Sequence, residues 1–146
     1  WTNLLKLYEN GVADIEDAIR DTGVAPWIGC HVSHSYHTGA SLYFTFGCLQ
    51  CKGREIEQYL YVKKAAEDAF LKNGGTLSHH HAVGTEHLPW VEDDISATGV
   101  KAVQALKEGL DPNGIMNPGK IIPSQEPLKE WGLGEKEIRR LIKIAK

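Results

Sequence analysis

Between Ser41 and Phe46 apolar and polar side chains alternate without a break. Leu42, Phe44 and Phe46 fall on one side of an extended chain, and Ser41, Tyr43 and Thr45 on the other. A strand so patterned has one face to bury and one to leave open, so a second layer must cover the apolar side. Its partner is the preceding segment. Trp27 to Ser33 reads as a strand with a less clear alternation, His31 and Ser33 on one face and Val32 and His34 on the other. Ser35-Tyr36-His37-Thr38-Gly39 is the connection, and the whole predicts a hairpin.

The covering layer is helical. Thr2 to Arg20 carries an apolar face that begins with Leu4, Leu5, Leu7 and Tyr8 and resumes at Val12, Ile15, Ala18 and Ile19; Gly11 divides it into two helices in this reading. Glu55 to Lys72 predicts an amphipathic helix with Ile56, Tyr59, Leu60, Ala66, Ala69 and Phe70 inward, stopped by Asn73-Gly74. A short strand through the following histidine segment is expected. Ser96 then caps a helix to about Gly109, with Val100, Val103, Leu106 and Leu110 inward. Asp111-Pro112-Asn113-Gly114 and Asn117-Pro118-Gly119 are turns, Ile121-Ile122 is a short extended piece, and a last helix starts at Glu135. The order gives an α+β fold, an antiparallel sheet covered by helices.

Chemistry concentrates in Gly74-Gly75-Thr76-Leu77-Ser78-His79-His80-His81-Ala82-Val83-Gly84. Imidazole gives or takes a proton near neutral pH, and three of them between glycine breaks suit a site better than a core. The functional reading is proton transfer or polarisation of a substrate carbonyl. The competing readings are a surface histidine run and a structural metal. Neighbouring side chains of an extended chain diverge, so His79 and His81 could share a ligand while His80 faces away, and no metal site is expected. Tyr43 places a phenol on the polar face of its strand. Cys48-Leu49-Gln50-Cys51 has redox spacing, but no second pair completes a zinc set, and incidental thiols are expected. His31, His34 and His37 read as features of a site wall. The sequence holds no glycine-rich nucleotide cradle, no nucleophile elbow and no H-E-x-x-H.

Composition bounds the class. The chain has 146 residues, 42% of them hydrophobic, and a net charge of −3, which fits a globular domain and gives no general attraction to nucleic acid. Three cysteines make no disulfide framework, and a reducing, cytoplasmic compartment is expected. The first residue is Trp1 rather than Met, so a piece of a longer polypeptide is expected.

Two patterns carry a family resemblance. Asp111-Pro112-Asn113-Gly114-Ile115-Met116-Asn117-Pro118-Gly119-Lys120 resembles the closing motif of FAD-linked oxidases of the vanillyl-alcohol-oxidase type, shared by D-lactate dehydrogenases and glycolate oxidase subunits. Val32-Ser33-His34-Ser35-Tyr36, Gly39-Ala40-Ser41-Leu42-Tyr43-Phe44, His79-His80-His81-Ala82-Val83-Gly84 and Pro89-Trp90 resemble the alkyldihydroxyacetonephosphate synthase branch. Ala82 departs from the glycine that usually follows the histidines, and Thr85-Glu86-His87 from the basic residues expected there. In the lactate and glycolate relatives a single histidine stands where His81 does.

The resemblance implies that residues 1–122 are the C-terminal part of a substrate-side (cap) domain, ferredoxin-like in fold; beyond it, 123–146 are expected to form a helical tail. It implies an FAD cofactor, with its own N-terminal FAD-binding domain as partner, and a small-molecule or lipid substrate. Tyr43, His79, His80 and His81 would be catalytic, and His81 and Asn117 would contact the cofactor. The arginine that grips the substrate phosphate would lie upstream of Trp1. A homodimer and a peripheral membrane contact are compatible with it. The implied reaction exchanges an acyl chain for a fatty alcohol on a phosphorylated ketone. The alternatives are a fragment of an FAD-linked D-2-hydroxy-acid dehydrogenase and a non-catalytic metal-binding module.

Overall fold

The structure, a computed structural model, describes residues 1–122; the tail helix expected from Glu135 lies outside the described residues. The order is α1 (Leu4–Asp21), β1 (Trp27–Ser35), β2 (Ala40–Gly47), α2 (Glu55–Lys72), a 3-10 turn (Leu88–Trp90) and α3 (Val91–Leu110). The fold is α+β, with β1 and β2 forming a two-stranded antiparallel sheet. Two compact units divide at Gly75 and Thr76. Among the described residues no helix is long and apolar enough to cross a membrane.

The first unit holds the hairpin and its two covering helices. Ile15 and Ile19 of α1 meet Val62 and Ala66 of α2 in a buried cluster, and Ile28, Phe44 and Phe46 of the sheet pack against it. The alternation of β2 thus buries the face that it predicts, and Tyr43 stands on the other. Removal of these apolar faces from water is the main force holding the layers together.

Gly11 does not divide α1, which is continuous. It is buried because the helix needs its lack of a side chain: a Cβ there would lie 3.2 Å from Phe44 Cζ and 3.4 Å from Phe70 Cε1. The helix tolerates its conformational cost, on the order of 0.5–1 kcal/mol, to let two aromatic rings approach the backbone.

The predicted bounds of α2 are those observed, but its buried stripe is rotated. Gln58, Val62, Ala66, Glu67 and Ala69 are buried, whereas Ile56 is 74% exposed and Tyr59 47% exposed. Gln58 explains the rotation. Its Oε1 accepts from the Cys51 amide at 2.9 Å, and its Nε2 donates to Thr22 Oγ1 at 2.9 Å and to the Leu49 carbonyl at 3.2 Å. One amide therefore satisfies the end of α1 and the loop after β2 together. Buried Glu67 is paired with Lys63 at 2.6 Å.

Asn73 and Gly74 stop α2 as expected. Gly74 has φ 74°, its amide donates to the Leu71 carbonyl, and the Gly75 amide returns to the Phe70 carbonyl at 2.8 Å. This double return is the Schellman arrangement. Asn73 is itself buried, accepting at Oδ1 from Asn10 Nδ2 at 2.6 Å, with Asn3 Nδ2 bonded to its carbonyl.

The second unit departs further from expectation. Residues 76–81 form no strand; the histidine segment is a series of bends that ends at Ala82 with φ 65°. Leu88, Trp90 and Val91 are buried. Helix α3 begins at Val91, ahead of the expected start, but breaks at Ser96, whose φ of 69° and ψ of 159° lie outside the helical region. Ser96 Oγ accepts from the Gly99 amide at 3.3 Å, so it does cap the helical segment after the break. Leu106 and Leu110, expected inward, are 64% and 84% exposed. Ile121 has φ 68° and is not extended.

Candidate functional site

The candidate residues occupy separate units: Tyr43 lies on the hairpin of the first, and His79, His80, His81 and Asn117 lie in the second. One irregularity decides which residues of β1 share the hairpin's open face. β1 and β2 run in register from Trp27 opposite Gly47 to Val32 opposite Leu42, and then the pairing jumps to His34 opposite Ser41. Ser33 is the extra residue of a β-bulge. Directly opposed residues of an antiparallel pair share a face. His31, opposite Tyr43, and His34, opposite Ser41, are therefore on the same open face, although strict alternation puts them on opposite ones.

Rings cover that face. His31 and Tyr43 stack with centroids 5.2 Å apart and planes inclined by 23°. His34 stacks on Tyr36 at 6.4 Å with planes inclined by 5°, and its Nδ1 lies 3.0 Å from Ser33 Oγ. Offset stacking is the favoured arrangement of such rings. Trp1 Nε1 donates to the Tyr36 and His37 carbonyls, which ties the hairpin turn to the start of α1.

In the second unit the three consecutive imidazoles touch in sequence. His79 and His80 meet edge to face at 5.2 Å, and His80 and His81 at 4.3 Å. His79 Nδ1 and His80 Nδ1 are 3.0 Å apart, so one ring donates and the other accepts. His80 does not face away from its neighbours as a strand would require. All three are exposed, and the bends bring together rings that an extended chain would separate.

The closing motif is built around one carboxylate. Asp111 Oδ1 accepts from the Ile115 amide and Oδ2 from the Met116 amide, each at 3.0 Å. Lys107 Nζ reaches Asp111 Oδ2 at 2.7 Å and the Met116 carbonyl at 2.6 Å. These partners, Lys107 first, hold the Asp111 carboxyl below the usual carboxylate range. Gly114 closes the predicted turn onto the Asp111 carbonyl. Asn117 follows, exposed and with φ 45°, a left-handed position that asparagine accepts more readily than most residues.

The thiols carry no comparable chemistry. Burial pushes the Cys48 thiol up, and Cys51 beside it adds to the shift. Cys51 Sγ donates to the Thr22 carbonyl at 3.4 Å, and burial raises Cys30 as well. Raising a thiol in this way, as at Cys48 and Cys30, disfavours the thiolate and so weakens it as a nucleophile. Tyr61, with its hydroxyl on Asp21 at 3.0 Å, is pushed up to about 12 by burial and by that bond, and it clasps α1 to α2.

Exposed rings with hydrogen-bonding atoms suit the flat ring system and substrate side of a flavin; they do not suit its diphosphate, for which the chain has no glycine-rich cradle. His31, expected only as part of a site wall, stands directly opposite Tyr43. The signal in the sequence is the failure of alternation at Ser33-His34, where two polar residues stand side by side.

Residues 5–121 match the family of FAD linked oxidases, C-terminal domain. An alkyldihydroxyacetonephosphate synthase of Dictyostelium discoideum is 38% identical over 85% of the chain and 20% of its own length. One of Trypanosoma brucei brucei is 40% identical over 89% of the chain and 21% of its own length. A mitochondrial D-lactate dehydrogenase [cytochrome] of Arabidopsis thaliana is 40% identical over 36% of the chain and 9% of its own length. The chain thus spans about a fifth of the length of the synthases that it matches.

Proposed function

Since this chain belongs to the family of FAD-linked oxidase C-terminal domains, we propose that residues 1–122 form the substrate side of a longer flavoenzyme of the alkyldihydroxyacetonephosphate synthase type. Its own N-terminal FAD-binding domain is the partner, and its substrate is an acylated ketone phosphate that exchanges its acyl group for a fatty alcohol. Breadth of likeness carries this reading: the two synthases align along 85% and 89% of the chain, the lactate enzyme along 36%. An odd count of three cysteines suits a reducing, cytoplasmic compartment.

The exchange breaks an ester C–O bond and forms an ether C–O bond at the same carbon. The alcohol gives up its hydroxyl proton and the acyl group departs as a carboxylic acid, so there is no net oxidation. FAD, when bound, supplies the electron-pair acceptance at carbon that side chains cannot provide. This chain supplies proton handling. Tyr43 offers a phenol that takes a proton from, or returns one to, the reacting carbon. His79 and His80, joined through their Nδ1 atoms at 3.0 Å, hold a proton between them for the alcohol and the departing carboxylate. His81 and Asn117 are the residues of this chain that would hold the cofactor.

The test uses the full-length protein with an acylated ketone phosphate and a long-chain alcohol. An ether product with one equivalent of free fatty acid is expected. Bleaching of the flavin by D-lactate, with no ether formed, would overturn the reading in favour of a hydroxy-acid dehydrogenase.

A further inference from the structure

His31 and Tyr43 face each other from paired positions of β1 and β2, on the side of the sheet away from the Ile15–Val62 core. Their rings overlap at 5.2 Å and 23°. His31 is exposed and Tyr43 is 37% exposed, so the contact buries little surface. A stack of this kind contributes little to folding beyond what any cross-strand pair gives. Its consequence is geometric. A tyrosine on a strand has more than one χ1 position open to it, and a flat partner opposite removes the positions in which the two planes collide. The bulge at Ser33 adds to this. It turns His34, itself stacked on Tyr36, onto the same face, so the strand beyond His31 is lined with rings instead of mobile aliphatic chains.

We propose that His31 is a positioning residue for Tyr43: its imidazole, stacked on the phenol from the opposing strand, fixes the direction in which the Tyr43 hydroxyl is presented to the substrate. This inference rests on the acid–base role given to Tyr43 above. A proton-transfer group works only within hydrogen-bond reach of its target, and small misplacements are costly in rate. His31 acts by shape, so any flat ring of similar size should serve in its place.

The experiment uses the full-length flavoprotein labelled with 3-fluorotyrosine, the resonance of position 43 being assigned by its loss in Tyr43→Phe. In His31→Ala this resonance should move and broaden as the ring loses its stacked partner. kcat should fall about three- to tenfold, the size of one aromatic contact, with KM for both substrates little changed. His31→Phe should restore both the resonance and most of kcat, which a purely protonic role for His31 would not allow. An unmoved resonance in His31→Ala, or failure of His31→Phe to rescue, overturns the inference while the role of Tyr43 stands. Full turnover in Tyr43→Phe overturns that role and this inference with it.

Discussion

Substituting exposed rings separates chemistry from folding. Tyr43 and His80 are both exposed, so Tyr43→Phe and His80→Ala remove proton-handling atoms without opening the core. In the full-length enzyme each should lower turnover on the order of a hundred- to ten-thousand-fold, while the melting temperature stays within a degree or two. Large losses of melting temperature in both would assign them structural roles. Gly11 behaves in the opposite way. Phe44 and Phe70 close over it, so Gly11→Val should cost about 1–3 kcal/mol in urea unfolding with no change in chemistry beyond that loss. A glycine in an amphipathic helix reads as a breaker from sequence. Only the rings that approach it from two other elements reveal it as a packing site, and those contacts lie 33 and 59 positions along the chain.

Among the elements, local signals were legible and shared surfaces were not. The limits of α2, its Asn73-Gly74 stop, the cap at Ser96 and the turn at Asp111 each depend on a few adjacent residues, and each was readable. The rotation of α2 was not, because it follows from hydrogen bonds that Gln58 makes to Thr22 and Leu49, outside the helix. The histidine segment reads as a strand because its composition allows one. It lacks a partner strand among the described residues, and the bends bring the imidazoles together instead. The Asp111 loop gives a pH test. Its folded carboxyl titrates below the ordinary value, so its contribution is complete above the usual carboxylate range, near pH 4, and is lost as pH falls through the depressed value. Asp111→Asn should be less stable than the parent at neutral pH. The difference should narrow as urea titrations are repeated at progressively lower pH. A constant difference down to pH 2 would detach the carboxylate charge from the loop.

At the scale of the whole molecule, the proposed function gives this chain the proton handling and leaves cofactor retention to a partner domain. The isolated 146 residues should therefore leave the fluorescence of micromolar free FAD unquenched; saturable quenching in that range would locate a flavin cradle where none is expected. The family was legible because its motifs sit in loops and turns that carry their own geometry, as at Asp111 and the histidines. The composition of the hairpin's open face was not, since it depends on a single extra residue. That residue sets the parity of β1. Downstream of Ser33, odd separations behave as even ones, and two imidazoles three positions apart look in one direction. An insertion or deletion at this point would exchange the chemistry of the whole sheet end in one step, with every side chain still present. Relatives of this chain should therefore diverge in what they accept by changes of strand length here as readily as by changes of residue type.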